Sequence, residues 1–244
     1  MSKKNRSNKR IAQGITVLCT IVLLLVSSCK SVQTSTGEKV KAFSGTIVYD
    51  VQVEQKSDTS FEKNKKDLFG TEMYFTVFKN GDLQRRYSGT SPSGYDLYYI
   101  DLEKKEVLEK YNNSDSLYVH SAGIQNIQKL ADLRSENEEI KVLNYDLDQV
   151  SVTAQESPSS ASKGRYLSIK YWYADDIKVD KSLYAGINDN MWSYFMNRSD
   201  GSIFLKYEID YFTYKVTYTA KQILPGKYER TKEKMSEEVP RVQD

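Results

Sequence analysis

From residue 44 to about 228 the chain alternates apolar and polar positions in short runs, the pattern of strands with one wet face. In GTIVYDVQVEQ (45–55), Ile47, Tyr49, Val51 and Val53 fall on one side, and Val48, Asp50, Gln52 and Glu54 on the other. A charged stretch, KSDTSFEKNKKD, reads as a loop. EMYFTVF then runs into Lys79-Asn80-Gly81-Asp82 and returns as LQRRYSG. Asn-Gly supplies the two positive-φ residues of a type I′ turn, so a tight hairpin is predicted here. YDLYYID, VLEKYNN and SLYVHS follow with brief polar connections, which extends the hairpin into an antiparallel meander.

The period changes at GIQNIQKLADLRSEN, where Ile124, Ile127, Leu130 and Ala131 recur at helical spacing and predict a helix over 124–135. Strands resume with IKVLNY and QVSVTAQ. A small-residue loop, ESPSSASKG, leads to YLSIKYWY, whose Leu167, Ile169, Tyr171 and Tyr173 share a face. NDNMWSYFMN predicts a second short helix, with Asn188 or Asp189 as its N-cap and Met191, Trp192, Phe195 and Met196 on its apolar side. In SIFLKYEIDYFTYKVTYTA the apolar set moves from odd to even positions, which requires a turn or bulge near Asp210–Thr213. Successive strands with inserted helices give a mostly β class, a curved or barrel-like antiparallel sheet in a single domain spanning 44–228. The stretch 229–244 is charged, with little to bury.

The beginning of the chain reads as processing signals. Residues 1–10 carry Lys3, Lys4, Arg6, Lys9 and Arg10 with no acid, and an apolar core, ITVLCTIVLLLV, follows. That core is short for a permanent span, and it ends in Val26-Ser27-Ser28-Cys29, similar to the lipobox of bacterial lipoproteins. The expectation is a signal peptide over 1–28, acylation of Cys29 with diacylglycerol and palmitate, and a flexible tether over 29–43. Several acyl chains on one cysteine would hold the protein on a membrane. Lys30, standing where an Asp would favour inner-membrane retention, suggests the outer membrane and its periplasmic face.

Processing changes the charge. The formal net of +2 includes five basic residues of the signal, and without them the chain stands at −3. A slightly acidic domain argues against a nucleic-acid partner. Of the two cysteines, Cys19 leaves with the signal and Cys29 is the acylation site, so no disulfide and no thiol nucleophile are expected.

Catalytic candidates are few. The single histidine, His120, reads as an exposed or edge residue at a strand end, and no G-x-S-x-G elbow surrounds a serine. One histidine and no free cysteine argue against a zinc site, and neither a cofactor nor a metal is expected. The pair Asp175-Asp176, in KYWYADDIKVD, reads as a strand end and turn: neighbours on an extended strand point to opposite faces and cannot share a substrate. Not an enzyme is the expectation. The aromatic residues leave two readings open. Tyr171, Tyr173, Met191, Trp192, Phe195 and Met196 form either an ordinary core between sheet and helix, or the lining of a cavity beneath a helical lid.

Trp172-Tyr173-Ala174-Asp175-Asp176-Ile177-Lys178-Val179, then Leu183-Tyr184-Ala185-Gly186, together with the Gly45-Thr46-Ile47-Val48-Tyr49 opening and the Leu205-Lys206-Tyr207-Glu208 strand, resemble an uncharacterised domain family of Gram-negative envelope lipoproteins related to the outer-membrane lipoprotein carrier and receptor (LolA/LolB-like). The chain departs from that pattern at Asn144-Tyr145-Asp146-Leu147, where many relatives have a Gly-Tyr-Lys-Cys-like step. The resemblance implies an incomplete β-barrel with two short helices covering one side. Better-known relatives use that fold to hold acyl chains, but the resemblance implies the fold and not that role. The lipobox, the aromatic-rich strands and the carrier-like pattern together give the expectation of a non-enzymatic binding module for an apolar ligand: a lipid, an acyl chain or a lipidated protein. The alternative is a structural or adaptor subunit that meets a protein partner in the envelope.

Overall fold

The computed structural model describes residues 42–56, 65–133, 139–157, 164–211, 213–226 and 241–243. The expected signal peptide, Cys29, most of the tether and most of the charged tail lie outside the described residues.

The meander comprises β1 (Gly45–Gln55), β2 (Glu72–Val77), β3 (Leu83–Tyr87), β4 (Tyr95–Asp101), β5 (Glu106–Tyr111) and β6 (Leu117–Ser121). Between β1 and β2 lies a short helix, α1 (Lys65–Phe69). The rest of the sheet is built from β7 (Ile127–Asp132), β8 (Ile140–Val142), β9 (Tyr145–Glu156), β10 (Tyr166–Lys178), β11 (Ser202–Tyr211), β12 (Tyr214–Pro225) and β13 (Arg241–Gln243). A second helix, α2 (Trp192–Arg198), precedes β11. Among the described residues the strand order is β13-β6-β5-β4-β3-β2-β1-β12-β11-β10-β9-β7, with β8 paired to β9. Every pairing is antiparallel except that of β13 with β6. The sheet is curved and does not close into a barrel, so its two ends remain unpaired with each other.

Register puts the alternating residues where the sequence places them. Ile47 lies opposite Phe75, Tyr49 opposite Met73, and Val51 opposite Tyr218, so one inner face carries the main core. Leu97, Tyr99, Leu108, Leu117 and Val119 form a smaller buried cluster on the opposite face of the meander. The phase change near residue 212 is a hairpin: β11 ends at Tyr211, β12 begins at Tyr214, and Asp210 pairs with Lys215.

Two turns depart from expectation. In the β2–β3 connection the Gly81 N–H donates to the Phe78 carbonyl at 2.9 Å, and only Gly81 (φ +93°) takes the left-handed region. The loop is therefore a turn followed by a glycine bulge rather than a type I′ turn on Asn80-Gly81. Its shape fits a docking contact, because a Cβ at Gly81 would stand 2.7 Å from Leu183. Leu143 (φ +51°) and Asn144 (φ +68°) instead make the two-residue turn between β8 and β9, with Val142 opposite Tyr145.

The helix expected over 124–135 is not there. Residues 127–132 form strand β7, paired along β9 from Ile127↔Glu156 to Asp132↔Val152. Of the apolar set that suggested a helix, only Ile127 is buried, while Ile124, Leu130 and Ala131 are exposed. A helix would have had no surface against which to bury that stripe, whereas a strand satisfies the backbone edge of β9. The second of the two short helices is instead α1, which falls in the stretch expected to be a charged loop.

The segment after β10 covers part of the inner face. A 3-10 turn over Lys181–Tyr184 and another over Asp189–Met191 lead into α2. Tyr184 donates its hydroxyl to the Gly81 carbonyl at 2.6 Å, which docks this segment on the β2–β3 loop. Trp192, Phe195 and Met196 point into the core. Burying one such side chain contributes roughly 1.5–3 kcal/mol. The helix ends at Asp200 (φ +52°) and Gly201 (φ +83°), with the Gly201 N–H donating to the Met196 carbonyl at 2.8 Å.

Gly201 also lets the end of β10 approach, since a Cβ there would meet the Val179 carbonyl oxygen at 2.5 Å. Gly201→Ala is expected to destabilise the protein by about 1–3 kcal/mol, through positive φ and this clash with backbone. Urea denaturation measures it, and a change within about 0.5 kcal/mol would contradict the assignment.

Candidate ligand-binding face

The six residues singled out from sequence come together on the inner face. Tyr171, Met191, Trp192, Phe195 and Met196 are all buried and Tyr173 is half-buried beside them. Tyr171 stacks on Phe195 with ring centroids 4.9 Å apart and planes 8° apart, and Trp192 stacks on Phe75 at 5.8 Å. The Tyr171 hydroxyl donates to the Ser202 carbonyl at 2.8 Å. Beneath α2, then, these side chains pack against one another as core.

The link between that covering segment and the meander is polar. Asp189, 1 % exposed, accepts the Tyr98 hydroxyl proton and a 2.7 Å bond from Asn190 Nδ2. His120 Nε2 lies 3.5 Å from Asp189 Oδ1. His120, expected as an exposed or edge residue at a strand end, is the penultimate residue of β6 and is half-buried on its inner face rather than exposed. The expected N-cap role is also absent: Asn188 makes no side-chain capping bond, and Asp189 turns its carboxylate inward to Tyr98. Asn190 (φ +48°) and Met191 (φ +59°) occupy the left-handed region to allow this. Each costs on the order of 1–2 kcal/mol. The strain is held by bonds on every side, among them Asn190 N–H to Asn126 Oδ1 at 2.7 Å and Asn190 Nδ2 to Tyr98 Oη at 3.2 Å.

Toward the other end of the same face the packing loosens. Register aligns Met73 with Tyr87, and Tyr95 with Tyr111. Tyr87, Tyr95, Tyr111, Tyr118 and Tyr211 are only half-buried, although they line the inner side. Their rings run in contact: Tyr87 to Tyr95 at 6.0 Å, Tyr95 to Tyr111 at 4.9 Å, Tyr111 to Tyr118 at 5.5 Å, and Tyr211 to Tyr214 at 4.6 Å. Burial pushes the hydroxyls of Tyr95 and Tyr211 well above a tyrosine's ordinary value, and those of Tyr111 and Tyr207 up to about 12. These rings are desolvated by their neighbours yet keep some accessible surface. Sequence reading passed over this group because each tyrosine sits in a different strand. Strand alternation was the available signal, as Tyr87, Tyr111 and Tyr211 lie in phase with core residues of their strands.

Asp175 and Asp176 prove to lie within β10, which continues to Lys178. Pairing with β11 is irregular between Tyr173 and Lys178, and both aspartates are exposed; Asp175 Oδ1 lies 3.3 Å from Lys178 Nζ. Among the described residues no group of three or more His, Cys, Asp or Glu is arranged to hold a metal ion.

Two outcomes follow from this geometry. Asp189→Ala strands the Tyr98 hydroxyl in the interior and should cost about 1–3 kcal/mol in urea denaturation, with Asp189→Asn, which keeps an acceptor, costing less. The second concerns pH. The buried tyrosines hold their protons more tightly folded than unfolded, where they ionise near pH 10. Their contribution is therefore complete below pH 10 and is lost as pH rises through the folded values. The urea midpoint should stay level across this range up to about pH 10 and then fall, in step with tyrosinate absorbance; a flat midpoint to pH 12 would contradict it.

No protein-family model matches the chain, and no curated protein matches it. Among solved structures it is similar to the Mycobacterium tuberculosis lipoprotein LppX, with 12% identity over 74% of this chain and 87% of that one, at a TM-score of 0.29. So loose a superposition assigns no family.

Proposed function

We propose that the protein is a lipoprotein, acylated on Cys29 and anchored in the outer membrane at its periplasmic face, whose inner sheet face binds an apolar ligand or the acyl chains of a lipidated protein. The observation that carries this reading is the half-buried tyrosine lining of Tyr87, Tyr95, Tyr111 and Tyr211. It continues from the packed aromatic floor beneath α2 that Tyr171, Trp192 and Phe195 form. Tyrosine suits such a surface because its ring offers apolar contact while its hydroxyl stays satisfied at the rim. Among the described residues no helix is long and apolar enough to cross a membrane. In this reading the anchor is the acylated cysteine, on the lipobox-like Val26-Ser27-Ser28-Cys29.

Native mass spectrometry of the full chain, before and after organic extraction, tests the binding. The expected result is an added mass of lipid size that disappears on extraction. A bare chain that also fails to take up added fatty acid would overturn the reading, and a stoichiometric protein partner in its place would favour the adaptor role.

A further inference from the structure

Arg85 sits at the centre of the inner face, and its environment is unusual for a cation. Its neighbour Arg86 points outward and lies 3.8 Å from Asp96, as a surface arginine does. Arg85 points inward, opposite Phe75 on β2 and Tyr98 on β4. Its guanidinium carbon stands 5.1 Å from the ring centre of Trp192, 5.2 Å from that of Tyr98 and 6.0 Å from that of Phe75. Aromatic rings therefore cover the group, and cation–π attraction offsets part of its desolvation.

The hydrogen-bonding edge is not so well served. Nε is buried with no partner, and so is the indole N–H of Trp192, the ring that covers the guanidinium. Tyr87 shares a hydrogen bond with Arg85. Among the described residues no carboxylate forms an ion pair with it. The acids nearby are engaged elsewhere: Asp189 with Tyr98 and Asn190, and Glu109 with the Tyr111 hydroxyl at 3.0 Å. Arg85 Nε and Trp192 Nε1 are thus buried donors without acceptors on two side chains in contact, and an oxyanion would satisfy such donors. A planar guanidinium offers carboxylate or phosphate a matched pair of N–H groups.

We propose that Arg85, assisted by the Trp192 indole N–H, binds the anionic head group, carboxylate or phosphate, of an amphiphile whose chain lies along the tyrosine lining. This rests on the apolar-ligand reading and adds its chemical class. The orientation follows, with the head group inward at Arg85 and the chain running over Tyr87 and Tyr95 toward the half-buried end. Arg85 as a residue is half-buried rather than sealed, and the proposal requires that its accessible part be where the head group arrives.

The test compares a fluorescent polyene fatty acid with its methyl ester on the delipidated full chain at neutral pH. The acid is expected to bind about tenfold or more tighter than the ester, because a charge-assisted hydrogen bond to a buried guanidinium is lost in the ester. Arg85→Gln should bring the two within about twofold, and Arg85→Lys should keep part of the preference. Equal binding of acid and ester to the unmutated chain would overturn the role of Arg85 and leave apolar binding standing, and this comparison holds even if Arg85→Gln fails to fold. Failure of both ligands to bind would overturn the apolar reading itself. Inorganic phosphate alone should not displace the acid at equal concentration; if it does, the site takes a free anion and the amphiphile is the wrong ligand.

Discussion

An open sheet must cover its inner face, and here the covering rests on one set of contacts: Trp192 and Phe195 laid flat on Phe75 and Tyr171. Both pairs are stacked, and Phe204 touches Phe75, Tyr171 and Trp192 from below. Strands far apart in the sheet order, β2 on one side and β10 on the other, are joined through these rings. Without them the sheet would present a broad aromatic surface to water, far larger than a stable soluble domain exposes. The segment that supplies them is short, and the tertiary contacts, not its helical propensity, hold it in place.

Polar attachments fix that segment at several points. Tyr184 reaches the Gly81 carbonyl, Asp189 receives Tyr98, and the N–H groups of Asn188 and Asp189 donate to the Ala122 carbonyl at 2.8 and 3.2 Å. Together they tie the cover to the β2–β3 loop and the end of β6, while Asn190 N–H to Asn126 and the Tyr194 hydroxyl to Asp132 tie it to the β7 side. The opposite part of the inner face is left to tyrosines that touch one another but keep accessible surface. In the proposed reading the packed end organises the walls of the accessible one.

Strand periodicity made most of the sheet readable in advance. The hairpin phase change at 211–214 was visible because two buried sets of opposite parity cannot share one strand. The failures have local causes. Residues 124–135 carry helical spacing, but only Ile127 finds a buried surface, and pairing with β9 decided the structure. Asn80-Gly81 looked like a type I′ turn, yet the loop also has to receive Leu183 and Tyr184, the latter 103 residues away, a contact that no local rule contains. Of the site, the aromatic floor from Tyr171 to Met196 was legible from two adjacent segments. Arg85 was not: in LQRRY the two arginines look alike, and only strand register turns one of them inward.

The central claim is that the tyrosine-lined part of the inner face is the ligand surface. Its most direct test is NMR of the full chain with isotope-labelled tyrosine rings, titrated with a fatty acid. The account predicts that the ring signals of Tyr87, Tyr95, Tyr111 and Tyr211 shift together to saturation, while those of the exposed Tyr74 and Tyr166 stay in place. Shifts confined to Tyr74 and Tyr166, or no saturable shift in the inner group, would contradict it.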